Sequence, residues 1–498
     1  MVRRIDPAAE QPSVSFPSTT ALVEDLRSRR ISALEALEQA IARIEARDSA
    51  VNAVVVRDFD RARAAAAAAD AALARGDRRP LLGVPMTVKE SFNVAGLPTT
   101  WGVAGVNATL PRHDAVAVAR LEASGAVILG KTNLSTHLAD WQSVNAVYGR
   151  TCNPWDLGRT PGGSSGGAAA ALAAGFVSLE LGSDLFGSLR VPAHCCGVFT
   201  HKPTYGLIPP RGHAPPGTPE LSVGVDADLT VVGPFARCAG DLALAVDVLA
   251  GPDEAQAAGY RLELPPARHD RLQDFKVLVL EKHPLLPISG EVSTAIQRFA
   301  ANLRRAGATV ADSSPLLPDL TQIAEVFDWL LMALLGANFP DLAYTSRSDK
   351  AARLPAEDKS REAMRQRALV SSHRDWIRVH RTRVAISHQW RQLFREWDLV
   401  LCPVLPTTAF PHDDTEIDRR TIDVDGQKIP YGLQAIWSGP ASLSGLPATV
   451  MPIGPGNSGL PVGVQIIGPY LEDRTTLAFA QLAEQREFGG FRPPPGFP

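Results

Sequence analysis

This sequence of 498 residues lacks an excess of charge of either sign. Its 50 lysine and arginine residues nearly balance its 53 aspartate and glutamate residues, for a net charge of −3. A nucleic-acid-binding chain is expected to present a basic face, and a charged tail would show as a long run of like charges. The sequence has neither an excess of basic residues nor such a run. These absences argue against a nucleic-acid partner.

Cysteine is also scarce, and long hydrophobic runs are missing. The five cysteines have no paired spacing, which argues against a disulfide framework and favours a reducing compartment. The longest apolar stretch, residues 166–182, is rich in glycine and alanine and contains Glu180, so it predicts a packed helix and strand rather than a membrane span. Residues 1–16 lack the apolar region of a secretory signal. We therefore expect a cytoplasmic protein that is not bound to a membrane.

The order of elements predicts one α/β domain over residues 1–498. Residues 18–80 read as helical, with a capping-box pattern at Ser32 and Glu35 and an alanine-rich helix at 61–76. Beyond residue 81, short apolar runs alternate with helical segments, which is typical of a mixed, largely parallel central sheet covered by helices on both faces. The expected core is residues 81–250, and residues 318–390 form a helical excursion. The strands are expected at 84–88, 126–130, 176–182, 276–281, 398–403 and 461–468.

Three motifs offer competing active sites, and each lacks part of the context that it needs. GAVILGKT (125–132) matches a phosphate-binding loop with Lys131, but its variable positions favour a buried strand. GGSSG (162–166) matches a nucleophile elbow centred on Ser164, but no apolar strand leads into the serine. HCCGVFTH (194–201) gathers two histidines and two adjacent cysteines, a spacing that does not close a tetrahedral metal site.

A different set of residues favours nucleophilic catalysis. Ser188 follows a predicted buried strand and opens a predicted short helical segment, residues 188–196, so that free backbone N–H groups beside it could hold an oxyanion. Lys89 ends an apolar strand, where loss of solvent lowers the pKa of an amine and makes a neutral base available. Glycines on both sides of Ser164 permit backbone conformations that other residues avoid, so that this serine could relay a proton between Lys89 and Ser188.

At these residues the sequence resembles the amidase signature family of serine hydrolases. The family has P-G-G-S-S-G-G and, later, G-x-D-x-G-G-S-x-R-x-P-A; this chain has TPGGSSGG (160–167) and GSDLFGSLRVPA (182–193). Most of the chain is covered, more weakly between about 210 and 395. The other matching stretches are residues 83–102, 125–133, 153–156, 443–454 and 459–485.

The resemblance implies a Ser–Ser–Lys triad, without a cofactor or a metal. Ser188 would be the nucleophile that forms an acyl-enzyme, and Ser164, preceded by a cis peptide bond from Gly163, would link it to Lys89 as general base and acid. The N–H groups of Leu185, Phe186, Gly187 and Ser188 would form the oxyanion hole. Ser165, Asp184 and Arg190 would support these loops, and Leu138 falls where the family lines its acyl pocket. Trp141 and Phe186 are further candidates for contact with the substrate because they are aromatic.

One departure from the family pattern bears on the substrate. Phe186 stands where the family usually has glycine, and its ring either shapes the pocket or closes the oxyanion hole. We expect hydrolysis of hydrophobic or aryl amides, esters or carbamates, with water as the second reactant, by a monomer or homodimer. The alternatives are a catalytically silent binding protein, a glutamine-hydrolysing amidotransferase component and a P-loop nucleotide enzyme that depends on Lys131.

Overall fold

The centre of the fold is a mixed sheet of eleven strands in the computed structural model, which describes residues 16–106, 110–218 and 228–497. The expectation about a secretory signal falls on residues 1–16, nearly all of which lie outside the described residues. The strand order is β1-β3-β2-β6-β8-β7-β14-β15-β11-β9-β10. The strands are β1 Val54–Arg57, β2 Pro85–Lys89, β3 Val127–Thr132, β4 Val144–Asn145, β5 Gly149–Arg150, β6 Leu179–Asp184, β7 Phe199–Lys202, β8 Val231–Ala236, β9 Lys276–Val279, β10 Thr309–Ala311, β11 Leu399–Pro403, β12 Thr421–Val424, β13 Gln427–Pro430, β14 Ala448–Pro455 and β15 Pro461–Ile467.

The sheet is parallel in two blocks, antiparallel between them, and antiparallel again at the edge where β1 pairs with β3. Strand β2 pairs in parallel with β3 and β6, and β9 pairs in parallel with β10 and β11. The middle is antiparallel because β8 inserts between β6 and β7, and because β14 and β15 form a hairpin. The α/β class and the mixed sheet are thus confirmed, with the parallel pairs confined to the two blocks.

Helices cover this sheet. The capping box at Ser32 and Glu35 is confirmed, and in the segment 318–390 the chain forms four helices, α10 to α13. Within the described ranges, we find no helix with the length and apolar character that crossing a membrane requires. The helices are α1 Thr19–Arg27, α2 Ala33–Val51, α3 Phe59–Ala74, α4 Val116–Ala123, α5 Gly166–Ala173, α6 Arg190–Cys196, α7 Ala239–Leu249, α8 Glu254–Ala257, α9 Gly290–Arg305, α10 Leu320–Gly336, α11 Asp341–Ala352, α12 Arg361–Ala368, α13 His373–Leu393, α14 Gly439–Ser442 and α15 Asp473–Gln485.

Helix α5 sets the position of the serine-rich loop that precedes it. All of its residues are buried, and they are glycine, alanine and a single leucine. A Cβ atom at Gly167 would lie 2.4 Å from the backbone nitrogen of Asn133, so only glycine permits this close approach. Because α5 packs against β2 and β6, the loop before it is held at the ends of those two strands.

Strand β6 carries a buried carboxyl group, Glu180, in the sheet interior. Its side chain bonds to the hydroxyl of Thr87 and accepts the N–H of Leu181 at 3.0 Å. Burial raises the pKa of Glu180 to about 8. The carboxyl is therefore protonated in the folded protein at neutral pH, which removes the large cost of burying a charge.

We predict that Glu180→Gln stabilises the protein increasingly as the pH rises. The folded chain keeps the Glu180 proton up to about pH 8, whereas the unfolded chain releases it near pH 4.5, so the wild type loses stability between these values. The gain of the variant should grow by about 1 kcal/mol per pH unit in this window. Denaturant unfolding of the variant and the wild type at several pH values between about 4.5 and 8 measures this difference in the free energy of unfolding.

The matched control is Glu24→Gln, because Glu24 is exposed on α1. Its unfolding should follow the wild type at every pH. A constant difference between Glu180→Gln and the wild type across the window would show that Glu180 is ionised in the fold.

Candidate active site

Lys89 lies at the end of β2, fully buried beside two serine hydroxyls. Its Nζ is 2.6 Å from Ser164 Oγ and 3.0 Å from Ser183 Oγ. Strands β2 and β6 run in parallel, so their carboxyl ends bring Lys89 and Ser183 to the same edge. Burial lowers the pKa of Lys89 to about 7, against the opposing effects of Asp184 and Glu90. A neutral amine is therefore accessible near physiological pH.

The loop that holds Ser164 is fixed by contacts that only glycine allows. The peptide bond between Gly163 and Ser164 is cis, as the resemblance implies. A Cβ atom at Gly163 would lie 2.3 Å from the carbonyl oxygen of Asp140. Ser143 Oγ donates to the carbonyl of Gly162 at 3.0 Å and accepts the N–H of Gly166 at 2.9 Å. The position of Ser164 beside Lys89 is thus set by backbone packing.

Ser188 lies in the loop between β6 and α6, almost fully buried at 3 % exposure. Helix α6 begins at Arg190 and its N-cap is Leu189, so Ser188 is the residue directly before the N-cap. The carboxylate of Asp184 accepts the N–H groups of Gly187 at 2.8 Å and Leu189 at 3.1 Å. The N–H groups at the start of α6 are therefore already paired, those of Leu189 and Arg190 with Asp184 and that of Val191 with the carbonyl of Gly187. The expected oxyanion donors would then have to come from the loop before the helix, and their role stays a prediction.

The same contact removes Gly187 from the predicted oxyanion hole, since its N–H already has an acceptor. The N–H groups of Leu185, Phe186 and Ser188 have no acceptor within the part of the chain that the structure describes. They are the donors that remain for an oxyanion. In the same described part, the hydrogen bonds from Lys89 reach Ser164 but do not extend to Ser188, so the second link of the triad stays a prediction.

A buried ion pair supports the Ser188 loop. Arg190 Nη2 lies 2.8 Å from Asp184 Oδ1, and both side chains are almost completely buried. Burial alone would raise the pKa of Asp184, but the charge and hydrogen bonds of Arg190 hold it at about 2. The ionised carboxylate can thus bind several donors at once. On the neighbouring loop, Ser165 Oγ donates to the carbonyl of Ser183 at 3.3 Å.

Aromatic rings form one side of the site. The ring of Phe186 packs edge-on against Trp141 with centroids 5.4 Å apart, and Trp141 is 5.4 Å from Tyr431. Asp140 accepts Tyr431 Oη at 2.6 Å and Arg420 Nη1 at 2.6 Å. The side chains of Asp140, Tyr431 and Arg420 therefore satisfy one another's hydrogen bonds next to the rings. Leu138 is half-buried in the short turn Thr136–Leu138, and its role in a pocket stays a prediction.

Sequence reasoning missed a buried histidine near Lys89. His213 packs on Phe92 at 4.7 Å and on Trp101 at 5.3 Å, and neither ring nitrogen has a partner among the described residues. Burial and then the charge of Lys89 lower its pKa to about 3, so the imidazole is neutral. Its loop is rich in proline and glycine, and no periodic pattern indicates that it folds inward.

Of the other residues that sequence reasoning missed, Ser183 had a usable signal in the sequence, whereas Ser143 and Asp140 had none. Ser183 lies one residue before the end of the apolar strand β6, as Lys89 lies at the end of β2, and the ends of parallel strands converge at one edge of a sheet. Ser143 and Asp140 lie in an irregular segment, where spacing carries no information about contacts. Their roles follow from the tertiary fold alone.

The residues of the phosphate-loop motif and of the histidine–cysteine motif make other contacts in the fold. Lys131 is buried in β3, where its Nζ donates to Thr99 Oγ1 at 3.0 Å and to a backbone carbonyl. The strand predicted at 126–130 is confirmed, but it continues to Thr132 and so includes Lys131, and this segment is a strand where a phosphate loop would need a turn. His194 Nε2 is paired with the carbonyl of Thr407 at 3.0 Å, whereas His201 Nε2 is paired with Asp473 at 3.0 Å. The two histidines thus serve separate contacts.

Comparison with known proteins agrees with this geometry. A glutamyl-tRNA(Gln) amidotransferase subunit from Anaeromyxobacter sp. (strain K) is 36 % identical over 492 residues, which cover 94 % of this chain and 95 % of that protein. The corresponding protein of Roseiflexus castenholzii is 33 % identical, with coverage of 93 % and 94 %. A bacterial aryl acylamidase structure has a TM-score of 0.77 at 25 % identity, covering 95 % of this chain and 97 % of that one.

A further similar structure belongs to a vestigial protein complex that reveals the origins of an s-triazine catabolic enzyme, with a TM-score of 0.80, 31 % identity and coverage of 96 % and 100 %. The fold and these neighbours define the class as enzymes that hydrolyse C–N amide bonds. The family model Amidase matches residues 35–477. The chain belongs to the amidase signature family.

We predict that Gly163→Ala lowers both stability and amide hydrolysis. The added methyl group would overlap the carbonyl of Asp140, and overpacking of this kind costs about 1–3 kcal/mol. A displacement of Ser164 by about 1 Å should lower the hydrolysis rate by about 100-fold. Thermal unfolding and a hydrolysis assay measure the two effects.

Gly259→Ala is the control, because a Cβ atom at Gly259 would meet nothing within 4 Å. This variant should match the wild type in both assays. Equal behaviour of the two variants would show that the loop around Ser164 can relax away from Asp140.

Proposed function

We propose that this protein is an active serine amidase in which Ser188 is the nucleophile, Ser164 is the proton relay and Lys89 is the general base. The observation that carries the proposal is the contact of 2.6 Å between Lys89 Nζ and Ser164 Oγ in a buried site. A lysine whose pKa is lowered to about 7 can accept a proton there and return it at nearly equal free energy.

The reaction has two steps. In the first, the hydroxyl of Ser188 attacks the amide carbonyl while its proton passes through Ser164 to the neutral amine of Lys89. The oxyanion accepts hydrogen bonds from the free N–H groups of Leu185, Phe186 and Ser188. Protonated Lys89 then returns the proton, through Ser164, to the leaving amine. In the second step, water attacks the acyl-enzyme by the same route and releases the acid.

The position of Phe186 favours an active enzyme over a silent binding protein. Within the loop the left-handed conformation falls on Gly187, whose φ is +108°, so Phe186 is not required to adopt it. The Phe186 ring turns to Trp141, with its N–H left without an acceptor among the described groups. The substitution therefore changes the wall of the site and preserves the donor.

The same rings support hydrophobic or aryl amides as substrates, with esters and carbamates as further candidates. Phe186 and Trp141 place apolar rings in and against the loop that carries Ser188, and the nearby charged groups Asp140 and Arg420 are paired with each other at 2.6 Å. A free amino acid such as glutamine needs unpaired charges for its amino and carboxylate groups. The relatives named as amidotransferase subunits nevertheless make glutamine hydrolysis the second candidate.

We predict that a fluorophosphonate probe labels Ser188 and that the rate rises with pH through a midpoint near 7. Neutral Lys89 accepts the proton of the nucleophile, and its pKa of about 7 sets the midpoint. Lys89→Met should slow labelling by about 100- to 10,000-fold. Mass spectrometry identifies the modified serine.

Lys131→Met is the control, because Lys131 is also buried near the end of a strand but bonds to Thr99 rather than to a catalytic serine. It should be labelled at a rate similar to the wild type. Label on Ser164 would favour the elbow, and folded protein without label would favour a silent site. Loss of activity in Lys131→Met with dependence on magnesium would favour a nucleotide enzyme.

We predict that aryl amides are hydrolysed with a higher kcat/KM than glutamine. The apolar wall gains free energy from an aryl group, at about 25 cal/mol per Å² of apolar surface buried, whereas glutamine finds no unpaired charge beside it. A panel of para-nitroanilides and free glutamine, assayed with wild type and Ser188→Ala, measures the preference. A glutaminase activity above the anilide rates would instead support the amidotransferase alternative.

A further inference from the structure

Two turns meet beside the candidate active site, and both contain residues in the left-handed backbone conformation. Trp101 has a φ of +55°, and His137 and Leu138 have φ values of +54° and +60°. The carbonyl of Trp101 accepts the N–H of His137 at 3.0 Å, so the two turns are joined through their backbones. Residues other than glycine adopt this conformation at a cost in free energy, and they keep it only where the surrounding contacts hold them.

The group that holds the first turn is the carboxylate of Glu90, one residue beyond the end of β2. Its Oε1 accepts the N–H and the hydroxyl of Thr100 at 2.6 and 2.8 Å, and its Oε2 accepts the N–H of Trp101 at 3.0 Å. Tyr148 Oη also donates to Oε1, at 3.0 Å. Glu90 is fully buried, and its own N–H donates to the carbonyl of Thr132 at 2.9 Å. One side chain, itself fixed to the sheet, thus fixes two consecutive peptide groups.

The second turn, Thr136–Leu138, leads directly to the backbone that supports Ser164. Asp140 and Trp141 follow this turn in the chain. A Cβ atom at Gly163 would lie 2.3 Å from the carbonyl oxygen of Asp140 and 2.9 Å from the Cα atom of Trp141. This stretch of backbone therefore packs against the glycine that precedes Ser164, and a shift of the second turn would be passed to that serine.

Glu90 also acts on Lys89 through its charge. The titratable groups around Lys89 are Asp184 at the end of β6, Glu90 after β2 and His213 in a neighbouring loop. The charges of Asp184 and Glu90 raise the pKa of Lys89 against the larger, opposite effect of burial, whereas His213 is neutral. The charge of Glu90 also raises the pKa of Lys131, on the adjacent strand.

We propose that Glu90 is a positioning residue for the amidase reaction, because its carboxylate holds the Trp101 turn and thereby the loop that carries Ser164. The Trp101 carbonyl passes this hold to the second turn. The same carboxylate supplies negative charge that favours protonated Lys89. The inference rests on the proposed amidase function and goes beyond it, since it assigns a role to a group that does not touch the reacting atoms.

Two conservative variants separate the position of this carboxylate from its charge. In Glu90→Gln the charge is lost, and one of the two oxygens that accept backbone N–H groups is replaced by an NH₂ group, which cannot accept. In Glu90→Asp the charge stays, but the shorter side chain no longer reaches both peptide groups of the turn. Both variants should slow fluorophosphonate labelling of Ser188 by about 10- to 100-fold at high pH, because Ser164 is displaced.

The pH at the midpoint of the labelling rate distinguishes the two variants. In Glu90→Gln the midpoint should move to lower pH by about 1 unit, because protonated Lys89 loses a favourable charge. In Glu90→Asp the midpoint should stay near 7. A role in stability alone predicts the opposite sign for Glu90→Gln, because a loosened fold admits water to Lys89 and raises its pKa.

Asp241→Asn is the matched control. Asp241 is also a fully buried carboxylate that accepts two consecutive backbone N–H groups, those of Thr19 at 2.6 Å and Thr20 at 2.9 Å. It lies on α7 and holds the start of α1 rather than a turn at the site. This variant should lose stability, as Glu90→Gln does, but it should be labelled at the wild-type rate with the wild-type midpoint.

Hydrogen exchange measures the hold of Glu90 on the two turns without any activity. In Glu90→Gln, backbone exchange should become faster in residues 98–102 and also in residues 135–141. Asp241→Asn should change neither segment. If Glu90→Gln failed to fold, Glu90→Asp would test the hold by the same exchange and labelling measurements.

Unchanged exchange in residues 135–141, or a wild-type labelling rate in both Glu90 variants, would overturn the inference. Labelling of Ser188 that still depended on Lys89 would in that case leave the amidase function in place. If the wild type were not labelled but exchange became faster in both segments, the amidase function would fail, and the hold of Glu90 on the two turns would stand.

Discussion

The carboxylate of Asp184 is the group on which the candidate site depends. It is ionised because Arg190 lies against it, and it accepts the N–H groups of Gly187 and Leu189 within the loop that carries Ser188. Arg190 extends the same contact to Gln465 at 2.6 Å and Ser442 at 2.7 Å. Removing one member of such a buried pair typically costs about 3–5 kcal/mol, because the other charge is left unpaired. One ion pair therefore joins the loop that carries Ser188 to β15 and α14.

Asp184 also acts on the lysine across the site. Its charge favours protonated Lys89, while burial favours the neutral amine more strongly, and the balance gives a pKa of about 7. Lys131 and Lys202 are equally buried, and their pKa values are lowered to about 8 and about 7. Burial alone therefore does not mark a catalytic lysine. Lys89 differs because its Nζ bonds to two serine hydroxyls, whereas Lys202 bonds to the carbonyl of Pro203.

The sequence supports the fold prediction where local chemistry decides the structure. The capping box at Ser32, the strand predicted at 126–130 and the glycines around Ser164 all follow from residue types and their spacing. Long-range pairing is different, because β8 enters the middle of the sheet after a long connection, and no local pattern encodes this. The site shows the same division. Lys89 and Ser164 could be placed together from motifs, but the use of the Gly187 N–H by Asp184 depends on the three-dimensional turn.

The phenylalanine at position 186, where the family usually has glycine, shows how a loop can gain a large side chain while its backbone N–H groups stay available as donors. A turn of this kind needs a residue with positive φ, and Gly187 supplies it, which leaves position 186 open to a side chain. The ring of Phe186 gains its stabilisation from Trp141, and Trp141 is packed in turn by Tyr431. A large residue at position 186 is thus the first contact in a continuous row of aromatic rings, in which Phe186 packs on Trp141 and Trp141 on Tyr431, and the side chain at this position is held by packing rather than by the backbone of the turn.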